Sequence, residues 1–220
     1  MKILIADDHA LIRSGLRSEL TGLAPAMEFI EAWDAESLRG ALDQHRDVDL
    51  ALVDLNMPGM SGVPSIVALR ARFPLVPLVV VSGSDDAAQV RGVLRAGAAG
   101  FIPKSAMVQL VLPALRLVLA GGQYVPPQLV AALDAAAAVR PNAASGGASS
   151  AAPDRLAALS PRQREVFHLL ARGLSNKQIA RELTISEGTV KSHIATIFDV
   201  LKVRNRVAAV AEARAVSGEA

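Results

Sequence analysis

Three residue types that can handle phosphate stand in this chain where apolar runs end. Asp7 and Asp8 follow Lys2–Ala6, Asp54 closes Leu50–Leu55, Ser82 closes Leu75–Ser82, and Lys104 follows Gly100–Pro103. Brought together, carboxylates of this kind are hard oxygen ligands with room for water, a set that suits Mg²⁺ and lets the ion bridge to phosphate. A carboxylate beside such an ion can act as a nucleophile and carry a phosphoryl group as an acyl phosphate. The ammonium and the hydroxyl then supply donors for the phosphoryl oxygens. Asp at the end of a strand is also ordinary turn chemistry. That explanation serves any one of them but not the whole set.

Convergence of these side chains requires the runs to be parallel strands of one sheet. Lys2–Ala6, Met27–Ala32, Leu50–Leu55, Leu75–Ser82 and Gly100–Pro103 are short, apolar and rich in β-branched residues. Amphipathic stretches separate them at Ala10–Leu23, Ala35–Gln44, Pro64–Phe73 and Asp86–Ala96, and a fifth follows at Val108–Ala120. The alternation predicts βα units and a parallel sheet, with right-handed crossovers that place helices on both faces. The fold class is therefore α/β, a doubly wound five-stranded parallel sheet, whose ligand crevice lies at the carboxyl ends of the strands. Pro113 inside the last helix predicts a kink unless that helix begins late enough to bring it near the first turn.

The strand-DDH, VDLNMPGMSG, VVVSGS and GAAGFIPKS segments together resemble the receiver domain of two-component response regulators, over residues 1–122. The resemblance implies a flavodoxin-like strand order and assigns roles. Asp54 would be the phosphoacceptor. Asp8 and Asp54 would ligate Mg²⁺ directly, Asp7 would act through water, and Asn56 would offer its backbone carbonyl. Ser82 and Lys104 would contact the phosphoryl group, and Phe101 would be the switch aromatic. Many receivers follow this lysine with proline through a cis peptide, whereas Lys104 is followed by Ser105.

Residues 134–153 read DAAAAVRPNAASGGASSAAP, which cannot bury a core and has the composition of a flexible tether. It falls within a linker expected over 123–154. Beyond it the start signals are helical. Ser160-Pro161-Arg162-Gln163 and Ser175-Asn176-Lys177-Gln178 both offer a capping box, the first with Pro at the opening position. Gly173 stands where a helix would end. Ser186 opens a third helix with Val190, Ile194 and Leu201 on its buried side, and Asn205 would cap a fourth over Arg206–Ala215. A turn of about four residues between the second and third helices is the spacing of a helix-turn-helix.

Residues 155–220 resemble the LuxR-type helix-turn-helix of NarL/FixJ-type regulators, a small all-α domain. By that resemblance the helix from Ser186 enters the major groove of DNA. Lys191 and Ser192 would then reach base edges, while Asn176, Lys177 and Thr189 fix register on phosphates. His193 is placed either to touch phosphate or to pack. Arg204 and Arg206 either add phosphate affinity or lie on a solvated face. Ala195 stands where relatives often carry a polar or basic residue. So small a unit binds tightly only as two copies on adjacent half-sites. We therefore expect a homodimer when active, with Val207, Val210 and Ala211 as its interface.

Charge agrees with this division. The chain of 220 residues has a net charge of +2, but residues 1–120 carry −2 and residues 155–220 carry +5. Cysteine is absent, so disulfides and thiolate metal sites are excluded. No apolar run approaches the roughly 18 residues of a membrane span, and Asp7-Asp8 cut the amino-terminal run too early for a signal peptide. The expectation is a cytoplasmic transcription factor, phosphorylated on Asp54 by a sensor histidine kinase, with Mg²⁺ as cofactor and DNA as partner. Two rivals stay open. In one, the receiver only dimerises and DNA binding ignores phosphorylation. In the other, Asp54 is the nucleophile of a metal-dependent phosphatase, against which Asn56 stands where an acid would be needed.

Overall fold

The computed structural model describes residues 1–126, save Pro25, Asp85 and Gly121, and residues 156–212, save Ala157, Arg204, Asn205, Val207 and Ala211. The tether at 134–153 lies outside the described residues. The chain divides into two compact units, Met1–Leu129 and Val130–Ala220.

The first unit contains β1 (Lys2–Ala6), α1 (Ala10–Leu20), β2 (Glu28–Ala32), α2 (Ala35–Gln44), β3 (Leu50–Asp54), α3 (Val63–Arg72), β4 (Leu78–Ser82), α4 (Ala87–Arg95), β5 (Gly100–Pro103) and α5 (Met107–Leu119). All pairings are parallel, and the sheet order is β2-β1-β3-β4-β5. Every expected element is present, with ends moved by a few residues for local reasons. β4 starts at Leu78, not Leu75, because Pro77 has no N–H to donate; its carbonyl accepts from Ala51 N at 2.9 Å. Asp86 is the cap of α4, its carboxylate accepting from Gln89 N at 2.8 Å, so the helix proper begins one residue later.

Alternation along the strands feeds two apolar layers. Leu4, Val53, Val80 and Phe101 face α2, α3 and α4 through Leu38, Ile66 and Val90. Ile3, Ile5, Leu52 and Val81 face α1 and α5 through Leu16, Val111 and Leu115. Each fully buried large side chain of this kind contributes about 1.5–3 kcal/mol, so the sheet is a rigid floor for the loops at its carboxyl end. The connection into β4 is held by the buried guanidinium of Arg70. It donates to the carbonyls of Pro74 at 2.6 Å and Val76 at 2.5 Å.

Pro113 lies within α5, six residues beyond its start, and the helix continues through it to Leu119. Proline and Gln109, the residue whose carbonyl loses its partner, are both exposed, so water can satisfy the freed oxygen. Beyond α5 the chain returns to the sheet. Phe101 N donates to Tyr124 O at 3.1 Å and Tyr124 N donates to Ala99 O at 3.0 Å, so Tyr124 lies alongside Gly100 as a one-residue sixth rung. A Cβ on Gly100 would sit 3.1 Å from Tyr124 Cβ and 3.2 Å from its carbonyl oxygen. Glycine is what permits this approach.

The second unit contains α6 (Pro161–Ala171), α7 (Asn176–Glu182) and α8 (Glu187–Leu201). Both predicted capping boxes form, Ser160 with Gln163 and Ser175 with Gln178. Gly173 ends α6 in the left-handed region at φ 82°. Residues 206, 208–210 and 212 continue as helix. Val166, Leu170, Ile179, Val190, Ile194, Ile197 and Leu201 form its buried side.

Gly100→Val is expected to push Tyr124 off β5, at a cost of about 1–3 kcal/mol for overpacking. Thermal unfolding measures the loss, and amide hydrogen exchange at Phe101 and Tyr124 should accelerate together.

Candidate functional site

The parallel register delivers the phosphate-handling residues to one place. Asp7 continues from β1, with its N–H bonded to Ala32 O at 3.1 Å, and Asp54 and Ser82 are the last residues of β3 and β4. Asp7 and Asp54 are each 1% exposed and Ser82 is fully buried, whereas Asp8 lies at the open side of the cluster. Lys104 follows β5 and reaches back into the pocket. Its Nζ is 2.9 Å from Asp54 Oδ2 and 2.7 Å from Asp7 Oδ2. Partial burial works to lower the lysine's pKa, but hydrogen bonds and attraction from Asp7 and Asp54 outweigh it and raise it above its ordinary 10.5. A raised lysine contributes stability in full below its unfolded value and loses it only as pH climbs past the raised one. The ammonium is therefore charged throughout the neutral range.

The remaining lone pairs are largely accounted for. Asp54 Oδ1 accepts Asn56 N at 3.1 Å, and Ser82 Oγ accepts Ser84 N at 3.2 Å, which leaves the Ser82 O–H free to donate. Phe101 is 0% exposed and packs with the layer beneath α2, α3 and α4. The Lys104–Ser105 peptide is trans.

Two neighbours escaped the sequence reading. His9 Nδ1 lies 2.7 Å from Asp8 Oδ1 and 3.1 Å from Asp7 Oδ1, with its ring 65% exposed. Arg13, on the first turn of α1, donates to the Asp7 carbonyl at 2.8 Å and to Glu31 Oε2 at 2.9 Å, so it braces the strand end that carries the acids. His9 was visible in the DDH triplet; Arg13 carried no signal, because its partner Glu31 arrives from β2.

One ligand atom from each of Asp7, Asp8, His9 and Asp54 lies within 4.8 Å of the others. Asp7 Oδ2, although close to Lys104, accepts no hydrogen bond of good geometry. A buried carboxylate oxygen with spare lone pairs in an oxygen-rich cluster fits a hard divalent cation such as Mg²⁺.

In the second unit, α7 and α8 are joined by Leu183–Ser186, with Thr184 in the left-handed region at φ 54°. Val190, Ile194, Ile197 and Leu201 of α8 are buried, which leaves Ser192 near the middle of the opposite, exposed face. Thr189 is exposed, with its hydroxyl 2.8 Å from Ser186 Oγ, and Lys177 is exposed on α7. Lys191 and His193 are half-buried flanks of the exposed face, not its centre. Arg162, at the start of α6, donates to Leu183 O at 2.6 Å and pairs with Glu165 at 2.5 Å, so it props the turn that leads into α8. Arg206 is not on a solvated face. It is half-buried, and that burial pulls its pKa down to about 10. It donates to Leu174 O and, at 3.3 Å, to Asn176 Oδ1. Of the interface expected on the fourth helix, Val210 is buried, while Val207 and Ala211 lie outside the described residues, as does Arg204. No helix among the described residues is long and apolar enough to cross a membrane.

Removing the Lys104 charge should expose the repulsion it balances. For Lys104→Met we expect a lower unfolding temperature at pH 7.5, because two buried carboxylates lose the charge that lies between them. Thermal melts of the variant beside the wild type check it.

Residues 3–116 match the response regulator receiver domain, and residues 157–213 match the bacterial regulatory proteins of the luxR family. The chain is 39% identical to the glycerol metabolism activator of Pseudomonas putida, covering 96% of this chain and 94% of that one. It is 37% identical to the nitrate/nitrite response regulator protein NarP of Escherichia coli, over 94% and 92% of the two. Among solved structures, RcsB from Salmonella enterica serovar Typhimurium, bound to a promoter in the presence of the phosphomimetic BeF3⁻, aligns with a TM-score of 0.57 at 25% identity. That alignment covers 98% of each chain.

Proposed function

The chain belongs to the response regulators that join a receiver domain to a LuxR-type DNA-binding domain, and we propose on that premise that Asp54 is its phosphoacceptor and that the phosphoryl group governs its binding to DNA. The protein is a transcriptional regulator of a two-component system. We assign the receiver to 1–122, the connecting segment to 123–154, whose first residues Gln123 and Tyr124 bond back to the receiver, and the DNA-binding domain to 155–220.

The donor is a phosphohistidine on a partner sensor histidine kinase. An Asp54 carboxylate oxygen attacks phosphorus, an O–P bond forms as the N–P bond breaks, and the departing imidazole takes up a proton. Asp8, Asp54 and the backbone carbonyl of Asn56, with Asp7 through water, are the groups that would hold Mg²⁺, which supplies positive charge against the phosphoryl oxygens when bound. Lys104 exchanges a carboxylate for a phosphoryl oxygen, and the free O–H of Ser82 donates to another. A phosphoryl group adds about −1.5 to −2 of charge at neutral pH. Drawing Lys104 and Ser82 toward that charge disturbs the packing around Phe101, and the helices beside β5 take a second arrangement. The Asn56 carboxamide is too weak an acid to protonate a leaving group, so Asp54 acts as an acceptor whose acyl phosphate hydrolyses slowly, without turnover of small phosphoesters.

On the DNA side, α8 enters the major groove, Lys191 and Ser192 meet base edges, and Asn176, Lys177, Thr189 and His193 lie toward the phosphates. Two copies bind adjacent half-sites, because a unit of this size spans only a few base pairs. The observation that carries the reading is the Lys104 ammonium between two buried carboxylates at the carboxyl ends of β1 and β3.

Incubated with Mg²⁺ and a small phosphodonor, the protein should gain the mass of one phosphoryl group, and Asp54→Asn should not. Labelling of Asp54→Asn at the wild-type level removes the assignment. DNA selected from a random pool should be bound more tightly after phosphorylation; equal affinity favours a receiver that serves only to dimerise.

A further inference from the structure

Arg206 is a cation of the DNA-binding unit whose guanidinium is turned onto a loop, with both terminal nitrogens donating there and Nε buried without a partner. Its guanidinium reaches the Leu174 carbonyl in the connection between α6 and α7, and Asn176 Oδ1 at the first residue of α7. A guanidinium carries five donors and no acceptor. The Asn176 atom facing it must therefore be the amide oxygen, and the two N–H groups of that carboxamide must point elsewhere. The Asn176 N–H of the backbone is not needed by the Ser175 cap, which takes its bond from Gln178 N at 3.3 Å. Arg206 thus orients the side-chain amide of Asn176.

We propose that Arg206 is a positioning residue of the DNA interface: it makes no contact with DNA, but by gripping Leu174 O and Asn176 Oδ1 it fixes the loop between α6 and α7 and turns the Asn176 amide N–H groups toward a phosphate of the DNA backbone. The inference rests on the DNA-binding reading above and deepens it. The fork matters as much as the charge. Lysine at 206 would keep the cation but, as a compact point charge on a flexible stem, would not hold both oxygens in one plane. A residue that bound phosphate directly would instead tolerate lysine well.

Salt dependence separates the two roles. Each phosphate neutralised by a cation on duplex DNA steepens the dependence of log affinity on log salt by about one unit. Asn176 is neutral and releases no counterion. Full-length protein is titrated with a fluorescent 30-base-pair duplex of arbitrary sequence across a salt series, since a phosphate contact is read on any sequence. The variants are Asn176→Ala, Arg206→Lys, Arg206→Met and the double variants. Each single variant should weaken binding by about three- to tenfold, the worth of one hydrogen bond. The salt slope should stay at the wild-type value. Each double variant should be no weaker than the weaker of its two singles, because both changes remove the same contact. Should Arg206→Met fail to fold by circular dichroism, Arg206→Lys with its double variant gives the same cycle.

Wild-type affinity for Arg206→Lys, together with a slope shallower by about one unit for Arg206→Met, shows a direct phosphate contact and overturns the proposal. Additive losses in the double variants show a general stabilising role and overturn it as well, as does an Asn176→Ala variant that binds like wild type. Absence of binding by the wild-type protein at low salt overturns the DNA-binding reading itself, a result distinct from any of these.

Discussion

Two buried carboxylates close together cannot both be ionised without a positive charge between them, and this constraint organises the receiver unit. Asp7 and Asp54 are nearly inaccessible to water. An uncompensated buried charge costs several kcal/mol even after relaxation. Lys104 provides the compensation at 2.7 and 2.9 Å, and to do so it must project from the end of β5 across the end of β4 toward β3 and β1. Strand order and strand length are what bring these three groups to one point. The same arrangement makes the pocket responsive: whatever adds negative charge there competes for the ammonium.

The DNA-binding unit depends on a different economy. Its geometry comes from helix ends. Serines at 160, 175 and 186 each cap a helix, and two of them are matched by glutamines that return the bond. Those local bonds fix where each helix begins. Arg162 and Arg206 then fix the two connections between helices by donating to Leu183 O and Leu174 O. Cations that sequence position alone would put on the outside are used to satisfy carbonyls that the tight turns leave without helical partners.

Much of this was legible in the sequence, for identifiable reasons. Strands β1, β3, β4 and β5 are apolar on both faces, so their runs end sharply, and the polar residues at or just beyond those ends are the ones that form the pocket. Helix starts were legible because Ser-x-x-Gln is a physical device and not a statistical habit. What could not be read were contacts made across long sequence separations. Arg13 meets Glu31, and Arg206 meets Leu174 and Asn176, through turns whose geometry no local pattern encodes. Helix faces near their boundaries were equally hidden. Lys191 and His193 lie one residue either side of Ser192 in the chain, but 100° of helical rotation per residue carries both to the flanks.

Tyr124 beside Gly100 has a consequence for how the protein keeps to itself. A parallel sheet with a bare outer strand offers an unpaired row of amides and carbonyls, on which another chain can lie down. At β5 that row is taken by the protein's own backbone, through Phe101 N and Ala99 O. At the opposite margin, β2 carries Glu28 and Glu31, each in an ion pair with a neighbouring basic side chain. Lateral growth of the sheet is thereby discouraged at both margins.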